Sequence, residues 1–141
     1  MIRNPLLLPK TRIYDFEPHT FGSDSKKRKK EIRDKLIQEI KKHHNLDEII
    51  NNCRDKKIFI RVQFNLWNDS TLTERANRDL GNLLKLLLDS ICDHIDNNKK
   101  VLGLGIITDD SNIFQILANK KLVANEAEEG FEIEMYEYSE N

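Results

Sequence analysis

The sequence predicts an α/β fold, a single domain in which a mixed β-sheet of about four strands packs against two main helices. The length of 141 residues, with 38% hydrophobic and 33% charged residues, suits one domain with a real core and a heavily charged surface. Apolar residues alternate strictly from Lys57 to Trp67, which predicts a strand with one buried face. Segments with helical spacing of apolar residues lie on both sides of this strand, as is typical of an α/β domain.

The first third of the chain is predicted to hold loops and helices. Residues 1–22 contain all three prolines, which lack a backbone donor, so this segment is predicted to form at most an edge strand near Thr11 to Phe16. A helix is predicted from residues 23–25 to about His44, and a short second helix from Leu46 to Cys53. The buried stripe predicted for the longer helix is Ile32, Leu36, Ile37 and Ile40.

The remainder is predicted to hold one more helix and two more strands. The helix opens at Asp79. Its predicted apolar face is Leu83, Leu84, Leu87, Ile91 and Ile95. The glycine-broken segment Val101 to Ile107 fits either a short buried strand or a packed loop, and strands are predicted over Ile113 to Val123 and Phe131 to Tyr136.

The charge of the chain is unevenly distributed. The formal net charge is −1, yet the residues up to His44 include twelve Lys and Arg against six Asp and Glu. Five consecutive cations, Lys26, Lys27, Arg28, Lys29 and Lys30, open the first helix, where they oppose the helix macrodipole. This run is either a solvated helix end or a patch that contacts the phosphates of a nucleic acid.

Several protein classes are not indicated by the sequence. Two cysteines, Cys53 and Cys92, do not form a disulfide framework or a CxxC metal site, and they are expected to be reduced and partly buried. No apolar run approaches the roughly 18 residues of a membrane span, and residues 1–22 lack the pattern of a signal peptide. We therefore expect a cytoplasmic protein without a membrane partner.

One stretch carries residues suited to phosphate chemistry: Arg78-Asp79-Leu80-Gly81-Asn82-Leu83-Leu84-Lys85, followed about 25 to 30 residues later by Asp109-Asp110. A carboxylate, a lysine and an acidic pair together could bind a hard divalent cation and a phosphate. Each part also has a purely structural explanation. Asp79 can cap the helix, Lys85 can be solvated, and the acidic pair can form a turn.

The order of these parts resembles the RusA-like Holliday junction resolvases. That family carries an Asp-x-Asp-Asn-x-x-Lys motif at the start of a helix, followed by an Asp-Asp pair. Asp79, Asn82, Lys85 and Asp109-Asp110 match the motif, and the resemblance extends from Lys57 to Tyr138. The second Asp of the motif is replaced by Gly81.

The resemblance implies a Mg²⁺-dependent endonuclease that acts, as a homodimer, on branched DNA such as a four-way junction. It implies that Asp79, Asp109 and Asp110 hold the metal, that Asp79, Lys85 and Asp110 are catalytic, and that Asn82 orders the ligands. Arg75, Arg78 and the five cations Lys26, Lys27, Arg28, Lys29 and Lys30 would contact DNA. Asp79, Lys85 and Asp110 are then expected to line one cleft, with their charged groups within about 10 Å of one another.

Gly81 leaves alternatives open. The chain could be a weakened member of the family that binds branched DNA and cuts poorly, in which case Gly81→Asp is expected to raise cleavage. Another carboxylate, from Asp69, Glu74 or Glu132, could instead fill the place. A structural domain without a nucleic-acid role is the third possibility.

Overall fold

The computed structural model describes residues 5–18, 25–67, 78–92, 106–107 and 110–140. Four strands form one mixed sheet: β1 (Leu6–Ile13), β2 (Ile58–Trp67), β3 (Ile113–Val123) and β4 (Gly130–Glu137). Within the described ranges, three helices accompany it: α1 (Ser25–His43), α2 (Leu46–Cys53) and α3 (Leu80–Ile91). Short 3₁₀ turns cover Asp110–Asn112 and Glu126–Glu128. The predicted α/β class with two main helices is confirmed.

The strands lie in the order β1-β4-β2-β3. Neighbouring strands are antiparallel except for β2 and β3, which run parallel. A parallel pair needs a crossover connection, and α3 supplies it. The helix therefore runs back along the sheet, so that its start lies at the end of β2 and its end lies at the start of β3.

The core lies between the helices and one face of the sheet. The alternating residues of β2 and β4 that were predicted to be buried are at most 3% exposed; they are Ile58, Ile60, Val62, Phe64, Leu66, Phe131, Ile133 and Met135. Ile32, Leu36 and Ile40 of α1 and Leu83, Leu87 and Ile91 of α3 also belong to the core, as their spacing predicts. Ile37 and Leu84 are partly buried, and Ile95 lies outside the described residues.

The opposite face of the sheet is polar. Arg12 pairs with Glu132 at 3.5 Å and Arg61 pairs with Glu134 at 3.6 Å, so neighbouring strands present opposite charges to each other. A hydrogen bond from Tyr136 to Glu134 raises the pKa of the partly buried Tyr136 phenol. The strict alternation in β2 thus separates the apolar face that packs against the helices from the charged face.

The boundaries predicted for the first strand are wrong. β1 covers Leu6–Ile13 rather than Thr11 to Phe16, because Leu7 and Leu8 are buried against the helices. Pro9 is tolerated because β1 is an edge strand, and the pairing with β4 shifts register between Leu8 and Thr11. The edge position itself is confirmed.

Neither cysteine forms a disulfide, as expected, and both are buried rather than partly buried. Burial of the Cys53 thiol raises its pKa to about 11, so this thiol stays protonated and unreactive near neutral pH. Within the described ranges, none of the helices combines the length and the apolar character that a bilayer crossing requires.

Candidate active site

Asp79 forms the N-cap of α3. Its backbone is extended (φ −68°, ψ 123°), and its Oδ1 atom accepts a hydrogen bond of 3.0 Å from the backbone N–H of Asn82. This bond satisfies one of the donors that the first turn of a helix leaves unpaired. The cap uses one carboxylate oxygen, which leaves Oδ2 as the atom able to ligate a cation. The capping role and a metal-binding role are therefore compatible.

The other motif residues continue along the exposed side of α3. Asp79, Asn82 and Lys85 are spaced by three residues and are all exposed, whereas Leu83, Leu86 and Leu87 are buried beneath them. Residues three apart are neighbours on a helix surface. Asn82 thus lies next to both Asp79 and Lys85 on the exposed side of α3, whereas Asp79 and Lys85 are about 120° apart around the helix axis.

Gly81 is exposed in the first turn of α3, next to the capping carboxylate. A Cβ atom at this position would lie 3.1 Å from Asp79 Oδ1. That distance is close, and the neighbouring atom is the end of a side chain that can shift by a few tenths of an ångström. A side chain at position 81 would therefore stand directly beside the Asp79 carboxylate, where the resembled motif has its second Asp.

The prediction that Arg78 contacts DNA is not supported by its contacts. Its guanidinium pairs with the carboxylate of Glu17 and donates to the carbonyl of Pro18. The Arg78 side chain is only 15% exposed. Arg78 connects the segment after β1 to the start of α3. Because its guanidinium already donates to Glu17 and Pro18, few N–H donors remain to bind a phosphate.

We expect Arg78→Ala to lower the free energy of unfolding by about 1–2 kcal/mol, the scale of a charged hydrogen bond that is partly exposed. Urea denaturation measures this change. Arg54→Ala, at an exposed arginine just after α2, is the matched control and should be near neutral. Loss of junction affinity with unchanged stability in Arg78→Ala would show that the arginine serves DNA after all.

The basic run at the start of α1 is not one solvated patch. Lys29 is 8% exposed, and its ammonium lies 3.5 Å from the carboxylate of Asp89 on α3. Arg28 is half-buried and pairs with Glu31 at 3.1 Å. Lys29 therefore joins the two helices and is withdrawn from the predicted DNA-binding set, whereas Lys27 and Lys30 are exposed.

Lys120 is a functional candidate that the sequence did not reveal. Its Nζ donates a hydrogen bond of 2.9 Å to the carbonyl of Arg78, immediately before Asp79. Lys120 pairs with Phe64 in the register of β2 and β3, so it stands on the helix side of the sheet. The recognisable signal is a lysine at a position of β3 whose neighbours in β2 face the core. It places a second cation at the Asp79 end of α3.

Glu132 is excluded as the replacement for the missing carboxylate. It alternates with the buried Phe131 and Ile133, so it lies on the polar face of the sheet, away from α3, where it pairs with Arg12. The other two candidates, Asp69 and Glu74, lie outside the described residues, as do Arg75, Asp109 and the side chains of Lys26 and Asp110.

Asp79 and Asp110 lie at opposite ends of α3. Asp79 caps the first turn, whereas the chain beyond the last turn is fixed by Ile107, which forms a parallel bridge with Cys92. Asp110 follows Ile107 by three residues and opens the turn that leads into β3. A helix of 12 residues is about 18 Å long at 1.5 Å per residue. The backbone of a single chain thus holds the two parts of the predicted site about one helix length apart.

Among the described residues, no group of three or more His, Cys, Asp and Glu side chains is arranged to hold a metal ion. Asp79 is the member of the expected ligand set whose side chain is described, and a carboxylate oxygen is the ligand type that Mg²⁺ prefers. A complete site would require Asp109 and Asp110 in addition.

Comparisons of the chain with family models, with curated proteins and with solved structures gave no match. The resemblance to the RusA-like resolvases therefore depends on the motif residues and on the order of the elements.

Proposed function

We propose that the chain is a Mg²⁺-dependent endonuclease that acts on branched DNA, such as a four-way junction. The observation that supports this proposal best is that Asp79, Asn82 and Lys85 all occupy exposed positions at the start of a capped helix, in a β-α-β unit whose second strand follows Asp109-Asp110.

Each residue of the proposed site would have a distinct role. Asp79, through Oδ2, would hold Mg²⁺ together with Asp109 and Asp110. Because one chain keeps Asp79 and Asp110 at opposite ends of α3, the acidic pair would come from the second copy of a homodimer. When bound, the ion supplies polarisation of the scissile phosphate and a lower pKa for the attacking water. Lys85 would neutralise negative charge on the phosphate as a point cation. Asn82 would orient the carboxylate through its backbone N–H, the contact already formed at 3.0 Å.

The alternative, a branched-DNA-binding protein that cuts weakly, is favoured by one specific observation. Position 81 adjoins the Asp79 carboxylate but carries no side chain. A metal site that lacks one carboxylate holds its cation less tightly. We therefore propose weak cleavage by this chain rather than none, and a homodimer as the working form, because two-fold symmetry offers two sites to the two strands of a junction.

DNA binding is expected to depend on the exposed part of the basic run. Lys27→Gln/Lys30→Gln should weaken binding to a four-way junction and lower the slope of log K against log salt by about two, since two fewer counterions are released. Fluorescence anisotropy of a labelled junction over a salt series measures this slope.

The matched control is Lys35→Gln/Lys41→Gln, which removes the same charge from exposed positions further along α1. It should leave the slope near that of the unmodified protein. Equal effects of both double variants would mean that only overall charge matters, and an unchanged slope in the first variant would mean that the run is a solvated helix end.

A further inference from the structure

β3 is a long strand at the edge of the sheet, and one of its sides is unpaired among the described residues. It pairs on one side with β2, in continuous register from Phe59 opposite Gln115 to Trp67 opposite Val123. In the part of the chain that the structure describes, no strand pairs with its other side. Its 11 residues contain no proline. Such an edge presents a row of backbone N–H and C=O groups to a further strand.

The exposed apolar residues are concentrated on this strand. Six large hydrophobic residues are exposed in the described ranges, and four of them belong to β3: Phe114 (48%), Ile116 (38%), Leu117 (54%) and Leu122 (49%). Ile116 and Leu122 align with the core-facing Ile60 and Leu66 of β2, whereas Leu117 aligns with Arg61, so exposed apolar side chains border the unpaired edge on both faces of the sheet. Both the backbone and the side chains of β3 are thus suited to strand pairing.

We propose that β3 pairs antiparallel with β3 of a second copy of the chain, about a two-fold axis at Ala118, and that this pairing completes the active site. The proposal deepens the proposed function and rests on it for the site, whereas the interface itself rests on β3 alone. The result would be a continuous sheet of eight strands.

The register follows from the sequence of β3. Antiparallel pairing about Ala118 uses all 11 residues and places Phe114 opposite Leu122 of the partner subunit, an aromatic–aliphatic pair. Lys120 and Lys121 then lie opposite the partner's Ile116 and the partner's Gln115, so no lysine faces a lysine. A register centred on Lys120, two residues toward the carboxyl end, would place this lysine opposite the partner's Lys120, which is unfavourable. The register about Ala118 is therefore the one that pairs every residue of β3 while no lysine faces a lysine.

This pairing brings together the two separated parts of the site. The carboxyl end of β3 lies at the start of α3, as the contact of Lys120 with Arg78 shows, and the amino end follows Asp110. Because the strands run in opposite directions, Ile113 lies opposite the partner's Val123. Asp110 of each chain, just before β3, then lies near the start of α3 in the other chain, where Asp79 is. The two-fold axis creates this arrangement twice in the dimer. A peptide strand from another protein could pair with the same edge, but it would not place an Asp110 near Asp79.

A disulfide at the two-fold axis tests the interface independently of activity. Residues opposite each other in antiparallel strands have Cα atoms about 4.5–5.5 Å apart, within the range of a disulfide. Ala118→Cys is therefore expected to form a covalent dimer on mild oxidation, visible on a non-reducing gel. Asn52→Cys, at an exposed position on α2, should stay monomeric on the same gel. Absence of the Ala118→Cys cross-link would overturn the proposed register.

Sedimentation of the unmodified chain should give twice its mass of 16.6 kDa. Leu117→Arg should convert the dimer to a monomer, because it places a charge at the interface. Leu6→Arg alters an equally exposed leucine on the opposite edge of the sheet and should leave the dimer intact. A monomeric unmodified chain, or a dimer that Leu6→Arg disrupts and Leu117→Arg does not, would overturn the proposal.

Mixing two inactive variants tests the shared site. Asp79→Asn and Asp110→Asn dimers, unfolded together and refolded, form mixed dimers in half of the population, each with one intact site and one doubly altered site. Nicking should recover to about a quarter of the unmodified rate if the sites are shared between chains. No recovery would show that each site belongs to one chain. If the unmodified chain fails to nick DNA, the nuclease proposal fails. The Ala118→Cys cross-link and the sedimentation mass still test the β3 interface independently.

Discussion

Asp79→Asn is expected to reduce Mg²⁺-dependent cleavage of a four-way junction at least about a hundredfold, because a metal ion contributes several kcal/mol of transition-state stabilisation. Asparagine is as good an N-cap as aspartate, and its side-chain oxygen can accept the same hydrogen bond from the Asn82 N–H. The substitution therefore removes a charge while retaining the start of α3. Single-turnover cleavage with excess protein measures the effect.

Asp47→Asn is the matched control for this experiment. Asp47 is also an exposed aspartate in the first turn of a helix, α2, and does not belong to the motif. Thermal melts of both variants should stay close to that of the unmodified chain. Cleavage that survives in Asp79→Asn, with the fold intact, would reduce Asp79 to a capping residue and remove the centre of the proposed site.

Gly81→Asp is expected to raise the cleavage rate about tenfold and to lower the Mg²⁺ concentration that cleavage requires, because an added carboxylate strengthens a hard-cation site. The position permits the change, since it is exposed and helical. The new Cβ would lie 3.1 Å from Asp79 Oδ1, so the added carboxylate would stand beside the existing one. Single-turnover rates across a Mg²⁺ series measure both effects.

Gly81→Asn separates charge from size. It fills the same space without a negative charge and is expected to leave cleavage at the level of the unmodified chain. The Gly81→Asp protein should also melt at a lower temperature without Mg²⁺ and gain more from Mg²⁺ than the unmodified protein, because paired carboxylates repel each other until a cation binds. A fall in cleavage in Gly81→Asp would mean that a different carboxylate already fills the place.

Most of the fold could be predicted because its residues are patterned by burial. The alternation in β2, the stripe of α1 and the leucines of α3 all report a face that packs against the core. β1 was misplaced because the sequence rule for proline does not show how a register shift at an edge accommodates Pro9. Local pattern fixes which face is buried, whereas the exact pairing of an edge strand depends on its neighbour.

The candidate site was less predictable, because charged residues have several uses. Arg78 was assigned to DNA from the resemblance and Lys29 from its place in the basic run, but the sequence did not show that they pair with Glu17 and Asp89 and so help to hold the fold together. The contact of Lys120 with the start of α3 arises from the parallel pairing of β2 and β3, which no local pattern encodes. The same topology places Asp79 and Asp110 at opposite ends of α3, although their order in the sequence matches the motif.

Cleavage of a synthetic four-way junction by the unmodified chain tests the central proposal most directly. A labelled junction is incubated with excess protein, in Mg²⁺ or in EDTA, beside a linear duplex of the same sequence. The proposal predicts slow nicks near the branch point of the junction in Mg²⁺, with none in EDTA and none in the duplex. A junction that stays intact in Mg²⁺ with both the unmodified chain and Gly81→Asp would contradict it.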